Sequence, residues 1–342
     1  MEILIYDRAA FTFKESLTLG SFEIVLDTVI SGQSTFTVND QVVSARSEDI
    51  LILHERSFFY IGIIKKIETE NLLTKITAVS FTAILDVEVI QDSYSGNLGD
   101  YLVSLISAAL INNEDEKQNL PYVTIENTCA ISDSITMSEA EVTTIEAILE
   151  DFNKFYGIRL EARLGIINGQ ITHIKLVIKE VEKSMKLKGD LFLLRNLSIS
   201  QDSETPTNKV ILYGEGLPNV CYFLLQDGEI SMDVSDVGRI TPVKLKYVSY
   251  QTSDDLETLA KKELVKEKYA HAISFDIHLK NKIFIPFSNV RIGDQIEFVN
   301  GETTYRTIFS QIVYKGTLEE CSIILGEHRI KLTEKLKLLE RR

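Results

Sequence analysis

Tryptophan is absent from these 342 residues, and proline occurs only five times. Pro-rich linkers are therefore excluded, and segment boundaries must be read from other signals. Cysteine is scarcer still. Cys129, Cys221 and Cys321 are odd in number, far apart and without C-x-x-C spacing. That pattern argues against a disulfide framework or a zinc site, and for buried free thiols in a reducing compartment. No apolar run approaches the length that spans a bilayer. The opening Met1-Glu2-Ile3-Leu4-Ile5-Tyr6-Asp7 lacks the basic-then-apolar order of a secretory signal. Positive charge is also in deficit: 36 Lys and Arg against 50 Asp and Glu leave a net charge of −14. A general nucleic-acid binder and a docker on anionic lipid would both show the opposite balance.

What is present is ordinary globular material, 44% apolar and 25% charged, and its length allows about two to four domains. Residues 1–93 read as a β-domain. Phe22–Leu26, Ser34–Val38, Asp49–Leu53, Phe58–Ile67 and Lys75–Phe81 are β-branched or aromatic, with Gly20, Gly32-Gln33, Asn39-Asp40 and Glu70-Asn71 between them. Residues 94–190 read as a compact α+β unit. Leu98 to Ile111 carries an apolar helical stripe. Thr143 with Glu146 forms a capping box for a second helix whose face is Ile145, Ile148, Leu149, Phe152 and Phe155, and Gly157 stands where a left-handed C-cap is wanted. Asn168-Gly169 between Ile158–Leu164 and Ile171–Ile178 is a hairpin signal.

Residues 191–252 return to strands, with Gln201–Asn208 a polar loop. In 253–342, Ser253 caps a helix bearing Leu256, Leu259, Ala260 and Leu264. Strands follow from Ile273 to Leu325, then a short basic amphipathic helix from Ile330 to Arg342. The fold class predicted is α+β, mostly β, in several domains.

The chain also resembles itself. Shifted by 245 residues, Asp49–Val79 lies on Asp294–Ile324 without a gap. Asp49 meets Asp294, Tyr60 meets Tyr305, Ile63 meets Ile308, Ile67 meets Ile312 and Leu73 meets Leu318. Apolar positions agree too: Leu51 with Ile296, Leu53 with Phe298, Ile76 with Cys321, Ala78 with Ile323. A solenoid would stack adjacent short units. Two distant copies predict two similar domains side by side, and segments 30–85 and 270–328 are expected to superpose.

Residues 34–38, 48–51 and 59–64 resemble the opening barrel of phage and prophage tail-tip proteins. Ile292–Val299 with Ile323–Gly326 resembles their second barrel, and Asn208–Gly214 the segment between. The group includes baseplate hubs of contractile tails and tail-associated proteins of long non-contractile tails. The resemblance implies two tail-tube-like β-barrel domains and two smaller α+β domains. It implies a homotrimer whose six barrels form a pseudo-six-fold ring. That ring would join distal tail or tube proteins to a receptor-binding or spike protein and let DNA pass. The site of action would be the virion, after synthesis in the bacterial cytoplasm. Some relatives carry a wall-degrading domain after the hub; this chain ends soon after its second barrel.

Residues that could support the alternative, a tail-associated hydrolase, do not form a pattern. His54, His173, His271, His278 and His328 include no H-E-x-x-H. His173 alternates with strand residues, and His271 and His278 share no face. Glu327-His328 reads as solvated charge, Gly214-Glu215-Gly216 as a turn, and Glu114-Asp115-Glu116 as a solvated loop. There is no G-x-S-x-G elbow. Catalytic, cofactor-binding and metal-binding residues are therefore all read as none. A DNA passage lined by base would act as a brake, so an acidic lumen is expected, with Glu68-Thr69-Glu70 and the matching Val313-Tyr314-Lys315 as candidate lining loops.

Overall fold

The computed structural model describes residues 1–27, 32–40, 42–55, 58–70, 73–135, 140–181, 185–189, 194–201, 207–225, 229–252, 254–265, 271–278, 290–301 and 303–326. The expected helix at 330–342, the pair Glu327-His328 and the cap Ser253 lie outside the described residues. Strand dominates, at 58% against 15% helix, which makes this a mostly-β α+β protein.

The first unit is a closed six-stranded barrel, running Glu2–Tyr6, Ile50–Glu55, Phe58–Glu70, Leu73–Ser80, Gln33–Val38 and Phe13–Asp27, with the last strand returning to the first. Its second strand explains an odd sequence feature. Ile50-Leu51-Ile52-Leu53 is apolar without alternation because both faces are covered. Leu51 and Leu53 point into the barrel core, while Ile50 and Ile52 pack under the neighbouring α+β unit. The strand Glu2–Tyr6 and the first half of Phe13–Asp27, absent from the sequence-based strand list, are what close the barrel.

The α+β unit packs on the outside of that barrel. It holds helices α1 (Leu98–Leu110) and α2 (Ile145–Tyr156) over a three-stranded sheet of Val123–Asn127, Gln170–Glu180 and Ile158–Ile167. Phe11 stacks on Tyr6 at 4.8 Å and on Tyr122 at 4.5 Å, binding barrel to unit. Asn97 caps α1 by accepting from the Asp100 N–H. The cap of α2 is Thr144, not Thr143: its Oγ accepts from the Ala147 N–H at 3.2 Å, and Thr143 lies one residue further back in the ribbon, opposite Val89. Gly157 takes the left-handed conformation at φ 67°, and Asn168 and Gly169 make the hairpin at φ 51° and 79°. The ribbon Glu88–Gln91 with Glu141–Thr144 crosses residue 93, the expected edge of this segment.

A four-stranded sheet follows, ordered Ile230–Ser231, Val220–Leu224, Lys209–Tyr213, Leu245–Ser249. Helix α3 (Leu256–Val265) covers one face, where Ala260 and Leu264 meet Val210 and Leu212.

The last unit repeats the first. Its strands are ordered Met185–Lys188, Gln295–Asn300, Thr303–Lys315, Glu320–Gly326, His271–His278 and Leu194–Gln201. It takes strands from both sides of residue 190, another expected boundary. Strand bounds Ile50–Glu55 and Phe58–Glu70 recur as Gln295–Asn300 and Thr303–Lys315 at the 245-residue offset, and Ile50↔Ile63 recurs as Gln295↔Ile308. The bulge between Ile64 and Lys66 recurs between Phe309 and Gln311.

Beyond this point the ungapped alignment fails. Ile67 pairs with Ile76, whereas Ile312 pairs with Ile323. Ile76 is therefore equivalent to Ile323 rather than Cys321, and the Leu73–Leu318 identity is not a structural match. A slip of two residues keeps every side chain on its face, so the apolar pattern hid the insertion. Two features differ between copies. Met185–Lys188 runs parallel to its neighbour, where Glu2–Tyr6 runs antiparallel, and no pairing among the described residues closes the second sheet. The two units share one core and one sheet, because Glu23–Asp27 pairs antiparallel with Gln311–Lys315.

Candidate functional site

The strongest sequence identity, Asp49 with Asp294, marks the same turn twice. The Asp49 carboxylate accepts from the Arg46 N–H at 2.7 Å, and the Asp294 carboxylate from the Arg291 N–H at 2.7 Å. The Ile64 and Phe309 N–H groups donate to the Asp49 and Asp294 carbonyls, and the Glu48 and Gly293 N–H groups to the Ile64 and Phe309 carbonyls. The residue before each Asp is left-handed: Glu48 at φ 73°, Gly293 at φ 88°. Each aspartate thus pins a turn that enters a strand, as short acidic side chains do. The signal was present three residues upstream, where Arg46 and Arg291 share the offset.

The two copies differ in the cation that meets the carboxylate. Lys14, on the barrel strand Phe13–Asp27, bonds Asp49 at 2.8 Å. Asp294 instead receives Arg159 from the α+β unit, whose side chain is only 4% exposed. Around this contact lies a charge cluster that joins the two units. Glu161 is met by Arg163 at 2.7 Å, Lys179 at 3.0 Å, Arg159 at 3.3 Å and by Arg291. The Asn153 amide donates to the Gly293 carbonyl at 3.2 Å. Burial raises the Glu161 carboxyl, but Arg291, Arg163 and Lys179 outweigh it and hold the group down at about 2. Burial pushes Asp294 upward against the pull of Arg159. The arrangement fixes one unit on another; it offers no nucleophile.

The other candidates fall apart in space. His271 is half-buried beside Tyr305, the rings 5.3 Å apart, and its pKa is lowered by desolvation. His173 bonds its neighbour Thr172 at 2.9 Å, and His278 stands 3.9 Å from Glu319. Asp115 caps a short turn rather than forming an acid cluster. Burial pushes the Cys321 thiol up to about 12 and raises Cys129; Cys221 is half-buried, and all three are free thiols. No group of three or more His, Cys, Asp or Glu that could hold a metal occurs among the described residues. A cleft of about 430 Å³ between Arg8, Val87, Leu110 and Lys117 has no acid or histidine in its lining.

The two expected lining loops are strands. Glu68-Thr69-Glu70 ends Phe58–Glu70 and is exposed. Val313-Tyr314-Lys315 ends the equivalent strand, and Tyr314 is 1% exposed.

The fold as a whole, a duplicated β unit with one α+β domain on its flank and another in its connection, is similar to those of solved phage and prophage tail proteins. Prophage tail protein gp18 from Listeria monocytogenes EGD-e matches with a TM-score of 0.57 at 16% identity, over 100% of this chain and 99% of that one. The 43 kDa tail protein of prophage MuSo2 from Shewanella oneidensis matches with a TM-score of 0.60 at 11% identity, over 96% and 98%. A chain of the phage P2 baseplate in its activated conformation matches at 0.51 with 12% identity, over 96% and 99%. No protein-family model and no curated protein matches the sequence. The likeness is one of fold, spread over the whole chain.

Proposed function

We propose that the chain is a structural tail-tip or baseplate hub subunit of a bacteriophage or prophage tail, and not an enzyme. Three copies would place six similar β units around one axis. The ring would meet distal tail or tube proteins on one side and a receptor-binding or spike protein on the other, with genomic DNA passing through unbound. The observation that carries this reading is the duplicated unit, joined edge to edge within one chain. Two like units per chain let a threefold assembly face a sixfold partner. The division into 1–93, 94–190, 191–252 and 253–342 belongs to the same proposal, with 185–188 and 194–201 contributed to the second β unit. Synthesis would be cytoplasmic and the final location the virion.

Imaging of purified tails with this chain labelled tests the reading. Three copies in one ring are expected, and two or four overturn it. Incubation with purified peptidoglycan tests the enzyme alternative: no soluble fragments are expected, and their release would favour a hydrolase.

A further inference from the structure

The contact between the two β units in one chain is heterologous. The end of one strand, Glu23–Asp27, lies on the far half of another, Gln311–Lys315. Because the units are repeats, each partner in this contact has an equivalent elsewhere in the chain.

The equivalent of Gln311–Lys315 is Lys66–Glu70. In both copies the preceding hairpin partner covers only the first half of the long strand, ending at Ile50↔Ile63 and at Gln295↔Ile308. In the second copy the second half is then covered by Glu23–Asp27. In the first copy Lys66–Glu70 pairs on one side only, with Leu73–Thr77, and no strand occupies its other edge among the described residues. Burial reports the difference. Gln311, Ile312 and Tyr314 are buried, while Lys66, Glu68, Thr69 and Glu70 are exposed and Ile67 half-buried.

The equivalent of Glu23–Asp27 begins at Ser198. Leu19 pairs with Val38 as Leu194 pairs with Ile277, and Glu23 with Thr35 as Ser198 with Ser274, each pair straddling one bulge. Ser198–Gln201 is the outermost strand end of the second sheet, with no neighbour on its far side among the described residues.

Among the described residues the chain therefore carries one filled joint and the two halves of the same joint unfilled. We infer that Ser198–Gln201 of one copy adds antiparallel to Lys66–Glu70 of a second copy, in the register of the internal joint. Thr69 would then stand opposite Ile199 as Tyr314 stands opposite Ile24, and Glu70 opposite Ser198 as Lys315 opposite Glu23. Unpaired strand edges are templates for such addition. The charges do not oppose it. Lys66, Glu68 and Glu70 share one face of the strand, Lys66 and Glu68 already bonded at 2.7 Å, and they remain in solvent. Ile67 and Thr69 share the other face, equivalent to the core-facing Ile312 and Tyr314, where Ile199 would meet them. A heterologous joint propagates head to tail and closes or grows according to its rotation. Closure at three copies rests on the ring reading above; the strand pairing itself does not.

The test is a full-length chain carrying Thr69→Cys and Ile199→Cys, oxidised over a concentration series and digested for mass spectrometry. Peptides linking position 69 of one copy to position 199 of another are expected, in species of dimer and trimer mass on non-reducing gels. Either single substitution should give no species above dimer mass. No 69–199 linkage at any concentration, or 69–69 and 199–199 linkages in its place, overturns the pairing. Linked chains that extend past trimer mass would keep the pairing and overturn the closed ring.

Discussion

Replacing Arg159 with Met should loosen the α+β unit from the second β unit. Arg159 is 4% exposed and its guanidinium lies against Asp294, a carboxylate 12% exposed. Removing one member of a buried pair costs about 3–5 kcal/mol. The lower end applies here, because the Arg291 N–H still bonds Asp294 at 2.7 Å, and Glu161 keeps Arg163, Lys179 and Arg291. Asp294→Asn is expected to cost somewhat less, since the amide oxygen can still accept that N–H while Arg159 retains Glu161 at 3.3 Å. With both changes present, no unmatched charge remains at the joint. The double variant should therefore recover on the order of 2 kcal/mol relative to the sum of the singles, about thirtyfold in an equilibrium constant. A chain with several units need not unfold in one step. Hydrogen exchange of residues 158–167 and 290–300 therefore reads the joint directly, with urea unfolding by circular dichroism as the global measure, since there is no tryptophan to report. Exchange in both segments should rise together in Arg159→Met and fall back in the double variant. Single effects that add to within about 0.5 kcal/mol would refute the reasoning, because contacting partners must couple.

The same cluster predicts acid sensitivity. Glu161 is held at about 2, below its ordinary 4.5, so its contribution is complete above about 4.5 and is lost as pH falls toward 2, on the order of 3 kcal/mol at most. Asp294 is shifted upward, so its contribution has the opposite sign and partly offsets the loss on acidification. Glu161→Gln should flatten the pH dependence of exchange in residues 158–167; an unchanged profile would count against the assignment. Gly62→Ala would place a Cβ 2.5 Å from the ring of Tyr60, which is 1% exposed inside the barrel. Overpacking of this kind should cost about 1–3 kcal/mol in urea unfolding, and a neutral result would mean the ring is free to move. Thr144→Ala should cost about 1 kcal/mol through the lost cap of α2, whereas Thr143→Ala should cost under about 0.5 kcal/mol, and the reverse order would return the cap to Thr143.

Local chemistry was written in the sequence. The stripe from Leu98, the left-handed Gly157, the Asn168-Gly169 hairpin and the alternation of the β units each depend on neighbours a few residues away. Residue type and period report such neighbours directly. The repeat was legible for the same reason: Asp49 and Asp294 perform one local task, pinning a turn. Helix α2 shows the limit of local reading: the capping-box spacing pointed to Thr143, but the helix begins at Ile145 and Thr144 caps it.

What the tertiary structure decided was pairing between distant segments. Nothing local in Glu2–Tyr6 says that it closes a barrel, or in Met185–Lys188 that it joins Gln295–Asn300 in parallel. Likewise, 50 acidic residues offer no means of choosing which one Arg159 will meet. A strand's period of two is blind to an even slip, so Ile76 stood against Cys321 in sequence and against Ile323 in space. Side-chain pattern encodes which face a residue turns to the core; which edge meets which edge is fixed only when the whole chain has packed.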